Sequence, residues 1–213
     1  MSTTDEHLSG HDENRRDFLL LVTGALGVVG AAASIWPFID SMNPSADVIA
    51  AGAPVDIDVS PLKPGQQLLV TWRSRPIFIV RRTPAQLKIL QEAPDTSLLS
   101  DPNSAVEQQP PYARNWHRSI KPEYLVLVGI CTHLGCIPKF RPQVGGDLGA
   151  NWPGGYFCPC HGSKYDLSGR VFSGVPAPYN LPVPPYTFTG PASVRIGENP
   201  KGSTWEFASV EQI

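Results

Sequence analysis

The sequence predicts a mainly β protein: an antiparallel β-sandwich in which two loops form a small subdomain at one end, preceded by one N-terminal transmembrane helix. Three observations carry this reading. Phe18 to Ile39 is an uncharged run of 22 residues between Asp17 and Asp40. Beyond it, apolar residues come in short alternating runs, the signature of half-buried strands. The 213 residues include 23 Pro and 19 Gly, which favours turns and short strands over long helices.

Residues 1–17 read as an acidic leader, with Asp5, Glu6, Asp12 and Glu13, unlike an organellar transit peptide, so a bacterial origin is expected. The leader ends in Asn14-Arg15-Arg16-Asp17-Phe18-Leu19-Leu20, which resembles a twin-arginine export signal. Two ordinary arginines flanking a conventionally inserted helix are the alternative. Residues 18–40 form the anchor: at ~1.5 Å per residue the apolar run spans roughly 33 Å, enough for a ~30 Å hydrocarbon core. Gly24, Gly27 and Gly30 suit packing against other membrane helices. A cleaved signal peptide is the competing reading, with Ala31 to Ala33 as small residues for a peptidase, but the run exceeds the usual ~7–15 apolar residues. The arginines ahead of the helix place the N-terminus in the cytoplasm and the body of the protein across the bacterial inner membrane, in the periplasm.

Residues 41–54, beginning Ser41-Met42-Asn43-Pro44-Ser45, read as a flexible tether, either extended or folded into a helical turn. From Val55 the pattern changes. Val55, Ile57 and Val59 alternate with Asp56, Asp58 and Ser60, Leu68 to Trp72 and Pro76 to Arg81 give two further strands, and Thr83-Pro84 caps a short helix over Pro84 to Glu92. Residues 93–118, rich in Pro, Gln, Asn and Ser, read as a surface excursion. Tyr124 to Ile130 is the most apolar strand and leads into Cys131. Gly155 to Phe157 precedes Cys158, and Ser163 to Phe172 reads as a hairpin leaving it. Ser193 to Ile196 and Thr204 to Phe207 complete the strands, with no internal repeat.

Charged residues make up 17% of the chain and form no basic stripe, so nucleic acid is not expected as a partner. The chemistry lies in two clusters, Cys131-Thr132-His133-Leu134-Gly135-Cys136 and Cys158-Pro159-Cys160-His161-Gly162-Ser163, which hold all four cysteines. Thiolate with imidazole excludes hard cations and leaves zinc, copper or iron–sulfur. Cys2His2 zinc sites usually take both cysteines from one knuckle and both histidines from another. One Cys and one His from each loop instead suits a [2Fe-2S] centre with two cysteines on one iron and two histidines on the other. Cys131, His133, Cys158 and His161 are the expected ligands. In an oxidising compartment Cys136 and Cys160, one in each loop, can clamp loop to loop as a disulfide; a pairing through Cys131 or Cys158 would destroy one Cys/His pair.

With these motifs the sequence resembles the Rieske iron–sulfur subunit of quinol:cytochrome c oxidoreductase, the cytochrome bc-type complex. The resemblance extends to the twin-arginine anchor, to Met42-Asn43-Pro44-Ser45-Ala46-Asp47 and to Val175-Pro176-Ala177-Pro178-Tyr179-Asn180-Leu181. It departs in Val175, inserted between Gly174 and Pro176, and in the long connection Ile137 to Pro153. It implies a Rieske domain over residues 55–213, a cluster-binding subdomain at about 129–180, and a role as the electron-transfer subunit of an oxidoreductase. Ser163 and Tyr165 would donate hydrogen bonds to a bridging sulfide and to the Cys131 sulfur. Gly162 would shape the second loop, Pro176 would begin a rigid loop over the cluster, and Leu134 would lie at the apolar tip that docks on a partner. His161 would take a proton from quinol as the cluster takes an electron, passed next to a c-type cytochrome. The implied partners are a cytochrome b subunit, the c-type cytochrome, quinol and membrane lipid, within a dimeric complex. A Rieske subunit of another exported oxidoreductase, such as an arsenite oxidase, and a zinc-stapled, membrane-anchored binding domain are the alternatives.

Overall fold

The computed structural model describes residues 6–92 and 96–210, which divide near Ile49 and Ala50 into an N-terminal helical unit and a β-rich head. In the first unit, α1 runs Glu6–Asp40. The helix thus begins within the leader and carries Arg15 and Arg16 on it; residues 1–5 of the leader lie outside the described residues. From Asn14 to Asp40 it is long and apolar enough to cross a membrane. Phe18, Leu21, Trp36 and Phe38 all stand exposed. A helix apolar all round its surface needs an apolar surrounding, which a bilayer supplies. A second helix, α2 (Ala46–Ala51), occupies the stretch read as tether, choosing the helical of the two forms the sequence left open.

Among the described residues the head has nine short strands in three antiparallel sheets of three. The first joins β1 (Val55–Asp58), β9 (Ser193–Ile196) and β8 (Tyr186–Gly190). The register pairs Val55 with Ile196 and Ile57 with Val194, turning the alternating apolar residues of β1 inward. The second sheet joins β2 (Gln67–Trp72), β3 (Arg75–Arg81) and β4 (Tyr124–Val128). All five residues of β4 are buried, which is why it reads as a continuous apolar run. Its outer side is covered by the Pro-rich segment near Leu181, where the Val128 N–H donates to the Pro182 carbonyl at 2.8 Å. The two sheets share one core, with Tyr124 of β4 against Phe188 of β8 at 5.7 Å between ring centroids.

Along the chain between β3 and β4, α3 (Pro84–Glu92) starts in a reciprocal cap: the Gln86 N–H donates to Thr83 Oγ1 at 3.1 Å and the Thr83 N–H to Gln86 Oε1 at 2.8 Å. This is the capping-box geometry, and it explains a helix start at Pro84.

The third sheet, β5 (Lys139–Arg141), β6 (Gly155–Phe157) and β7 (Lys164–Tyr165), forms the subdomain that carries both Cys/His loops. Its join to the sandwich is Phe78 of β3 stacked on Tyr156 of β6 at 5.7 Å. Gly129 makes room for that stack, since a Cβ there would lie 2.5 Å from the Phe78 ring.

Two expectations are corrected. Ala93 to Arg118 is a surface excursion only in part over its described residues: Leu98 and Trp116 are exposed, but Ser104, Gln108, Gln109, Ala113 and Arg118 are buried, and residues 93–95 lie outside the described residues. Polar composition misled because Gln109 and Arg118 satisfy their polar groups internally, Gln109 donating to the Ser104 and Val106 carbonyls and accepting from Arg118, although the Gln108 amide is buried without a hydrogen-bond partner among the described residues. Thr204 to Phe207 is not a strand. Trp205 and Phe207 are 6.2 Å apart, Phe207 packs on Trp72 at 5.5 Å, and a 3-10 turn follows over Phe207–Ser209. Aromatic burial, not strand pairing, places these residues.

Candidate metal centre

Two six-residue loops with the same backbone plan bring the clusters together. In the first, the Cys131 N–H donates to the Cys136 carbonyl at 2.7 Å and the Gly135 N–H to the Cys131 carbonyl at 3.0 Å. In the second, the Cys158 N–H donates to the Ser163 carbonyl at 2.8 Å and the Gly162 N–H to the Cys158 carbonyl at 3.0 Å. Both turns need a left-handed residue at the same offset, and Gly135 and Gly162 provide it at φ 81° and 80°. Gly135 was missed as a functional residue, although the repeated Cys-x3-Gly spacing signals it.

Each loop is held by strands. The first leaves β4 through Gly129 and Ile130, and the second is the connection from β6 to β7. Gly155 at the start of β6 lies so close to the Tyr165 carbonyl that any Cβ would collide with it. Cys136 and Cys160 are disulfide-bonded, clamping the loops as expected. Closing a segment with a sequence separation of 24 is worth about 3 kcal/mol by chain entropy.

The donor atoms are arranged asymmetrically. Cys131 and Cys158 are free thiols, both buried. The rings of His133 and His161 meet edge to face with centroids 4.7 Å apart, His161 exposed and His133 half-buried. The sulfurs thus face the protein and the imidazoles face outward. Burial, with Cys131 adding to it, pushes the Cys158 thiol up. The sulfurs of Cys136, Cys158 and Cys160 also lie within 4.8 Å of one another, but two of these are spent in the disulfide and cannot bind a metal.

Behind the sulfurs, the Tyr165 hydroxyl lies 3.2 Å from Cys131 Sγ. It accepts the Thr132 N–H at 3.2 Å, while Thr132 Oγ1 donates its own proton to the Tyr179 carbonyl at 2.7 Å. The tyrosine proton is thereby left for Cys131 Sγ or for Thr132 Oγ1 at 3.3 Å, and a thiolate is the stronger acceptor. Burial, then the Cys131 sulfur, push the Tyr165 phenol above its ordinary range, which keeps it a donor. Thr132 was also missed; only its place between Cys131 and His133 could have signalled it. Ser163 is fully buried, and its Oγ accepts the Ala177 N–H at 3.1 Å, so its own proton remains to be given. The Pro-rich loop reaches the site through Ala177, while Pro176 itself stands exposed. Leu134 projects from the first loop with 69% of its surface exposed.

Two buried thiols, two outward imidazoles and two poised hydroxyl donors match the donor set of a mixed-ligand iron–sulfur centre, though zinc would accept the same four atoms. The family decides between them. The "Rieske [2Fe-2S] domain" matches residues 55–186, more than half of the chain. The chain belongs to the Rieske iron–sulfur proteins. Within this family, the "Ubiquitinol-cytochrome C reductase Fe-S subunit TAT signal" matches residues 5–45. The "Ubiquinol-cytochrome c reductase iron-sulfur subunit" of Allochromatium vinosum is 50% identical over 191 residues, 89% of this chain and 91% of the relative. Its namesake in Blastochloris viridis is 51% identical over 189 residues, 87% and 94% of the two chains. That of Bradyrhizobium diazoefficiens is 46% identical over 189 residues, 89% and 97%. The Rieske domain here therefore carries a [2Fe-2S] cluster of the Rieske type, in a head attached to an apolar helix with a twin-arginine signal.

Proposed function

We propose that this Rieske protein is the electron-transfer subunit of a bacterial quinol:cytochrome c oxidoreductase, with Cys131 and Cys158 on one iron and His133 and His161 on the other. The cluster supplies one-electron exchange at a potential set by its surroundings. The observation that carries this reading is the asymmetry of the site: buried sulfurs and an exposed His161 ring. An exposed imidazole has a second nitrogen with which to accept a hydrogen bond from quinol and take its proton. His161 holds that proton while the electron is carried, and both leave together at a c-type cytochrome. Leu134 at the apolar tip seats the head on a cytochrome b subunit, and Gly162 keeps the His161 loop in its left-handed turn.

Ser163 and Tyr165 act on the potential. Their protons would be given to a sulfur of the cluster and to Cys131 Sγ, draining charge from the sulfurs and favouring the reduced form. Pro176 to Pro178 shield this side from water. The chain divides into a cytoplasmic leader (1–17), an anchor (18–40), a tether (41–54) and a periplasmic head (55–213), held at the inner membrane within a dimeric complex.

Two measurements test this. Iron and acid-labile sulfide should be present in about equal amounts, roughly two of each per chain, with a low-temperature EPR signal on reduction. Zinc without sulfide would sink the reading. Tyr165→Phe should leave the cluster assembled and lower the midpoint potential by roughly 65 mV, taking ~1.5 kcal/mol for a hydrogen bond to a charged acceptor and 59 mV per tenfold for one electron. An unchanged potential would remove Tyr165 from its role.

A further inference from the structure

Arg118 is a fully buried cation whose acceptors are all neutral. Nε and Nη2 donate to Gln109 Oε1 at 3.3 and 2.8 Å, Nη1 to the Ser168 and Gly169 carbonyls at 3.1 and 3.2 Å, and Nη2 to the Leu181 carbonyl at 2.9 Å. Burial pulls its guanidinium down to about 9, which still leaves it charged at neutral pH. Its backbone sits in the left-handed region at φ 48°, unfavourable for a residue with a side chain. A buried charge and a strained backbone persist together only where surrounding structure holds them, and such positions cluster at functional sites.

Arg118 joins Gln109 to two segments that lie 50 and 63 residues further along the chain, and both of these lead to the metal centre. Ser168 and Gly169 form the turn of the hairpin that begins at Tyr165, closed by the bridge between Tyr165 and Val171. Leu181 follows Tyr179 by two residues, and the Tyr179 carbonyl holds Thr132 Oγ1. The Leu181 N–H donates to the Gly169 carbonyl at 2.8 Å, so one guanidinium grips both sides of the contact between these segments. The Asp166–Arg170 pair stiffens the hairpin internally but does not reach Leu181 through any described hydrogen bond. Three links therefore set how the Tyr165 hairpin lies against the Tyr179 segment: the Leu181 N–H on the Gly169 carbonyl, the Val171 N–H on Asn180 Oδ1 at 2.8 Å, and Arg118, whose one guanidinium donates to both sides. That relation fixes whether Thr132, held by Tyr179, can meet the Tyr165 hydroxyl.

We infer that Arg118 is a positioning residue for electron transfer: it aligns the Tyr165 hairpin with the Tyr179 segment, and so directs the Tyr165 proton to the Cys131 sulfur. The inference rests on the role proposed above for Tyr165. It adds that the partly buried 101–118 segment, which supplies both Arg118 and Gln109, tunes the centre without touching it.

The test is a double-mutant cycle on the full-length, cluster-loaded protein, read by midpoint potential and by EPR line shape. Arg118→Met should lower the potential by less than Tyr165→Phe does, and should add nothing further in the Tyr165→Phe background. Gln109→Met, which removes one acceptor without changing charge, should give a smaller shift in the same direction, also abolished by Tyr165→Phe. It keeps the test open if Arg118→Met does not fold. A fall in melting temperature with an unchanged potential would overturn the inference and leave Arg118 a purely structural staple. An equal shift with and without the Tyr165 hydroxyl would also overturn it, because the effect would then be that of charge alone. If Tyr165→Phe by itself shifts nothing, the underlying role of Tyr165 fails, and that result is distinct from either.

Discussion

Serine in place of Cys158 abolishes iron binding, taking the chain from about two iron atoms to about none. The thiol is buried, and the second loop presents no other free sulfur to replace it, since Cys160 is committed to the disulfide. A serine oxygen is harder than a thiolate and carries its proton at neutral pH, so it fails as a ligand for this centre. Iron analysis and the EPR signal of the reduced protein read the outcome. Retention of full iron would move the ligand role away from Cys158. Cys160→Ser is the matching control: it should lose stability of about 3 kcal/mol while the four ligand atoms remain.

Asp166→Asn should destabilise the head by about 3–5 kcal/mol, a large part of the ~5–15 kcal/mol that holds a domain folded. The carboxylate accepts the Ser168 N–H and Arg170 N–H at 2.8 Å each, the Ser168 hydroxyl at 2.9 Å, and Arg170 Nε at 2.7 Å. Both side chains of the ion pair are nearly inaccessible, so little solvent screening weakens it. Asparagine keeps the shape but has one acceptor oxygen and no charge, leaving the Arg170 guanidinium buried beside a neutral group. Urea unfolding of the full-length protein measures the loss; a change under ~1 kcal/mol would show that water reaches the pair after all.

The chemistry of the site was legible in the sequence because it is local. Cys131, His133, Cys158 and His161 stand in loops whose turns are set by residues within five positions, and strands β4 and β6 are short apolar runs next to them. Helix α3 was legible for the same reason, through Thr83, Pro84 and Gln86. What could not be read depends on distant partners. Strand β8 follows Leu181-Pro-Val-Pro-Pro, whose prolines hide the alternation of Tyr186 and Phe188, and only pairing with β9 makes it a strand. Strand β5 is three residues inside the long connection after Cys136, defined by its register on β6. The burial of Gln109 and Arg118 is hidden in the sequence, where Ser104 to Arg118 reads as polar surface until the carbonyls of Ser168, Gly169 and Leu181 are seen to receive Arg118.

The crowding of sulfur at the tip gives the metal a second job, that of a protecting group. Four cysteines can pair in three ways. Cys158 lies within 4.8 Å of both disulfide sulfurs, and on the ligand set proposed above a bond to iron adds to its raised thiol pKa in holding it back from attack on the neighbouring disulfide. Stripping the iron under non-reducing conditions should therefore scramble the pairing, with Cys158 appearing in new disulfides by peptide mass mapping. A chain that kept only Cys136–Cys160 after iron removal would refute this. The order of assembly follows: iron must occupy the loops before they meet an oxidising compartment, because once the wrong sulfurs have joined, half the ligands are gone.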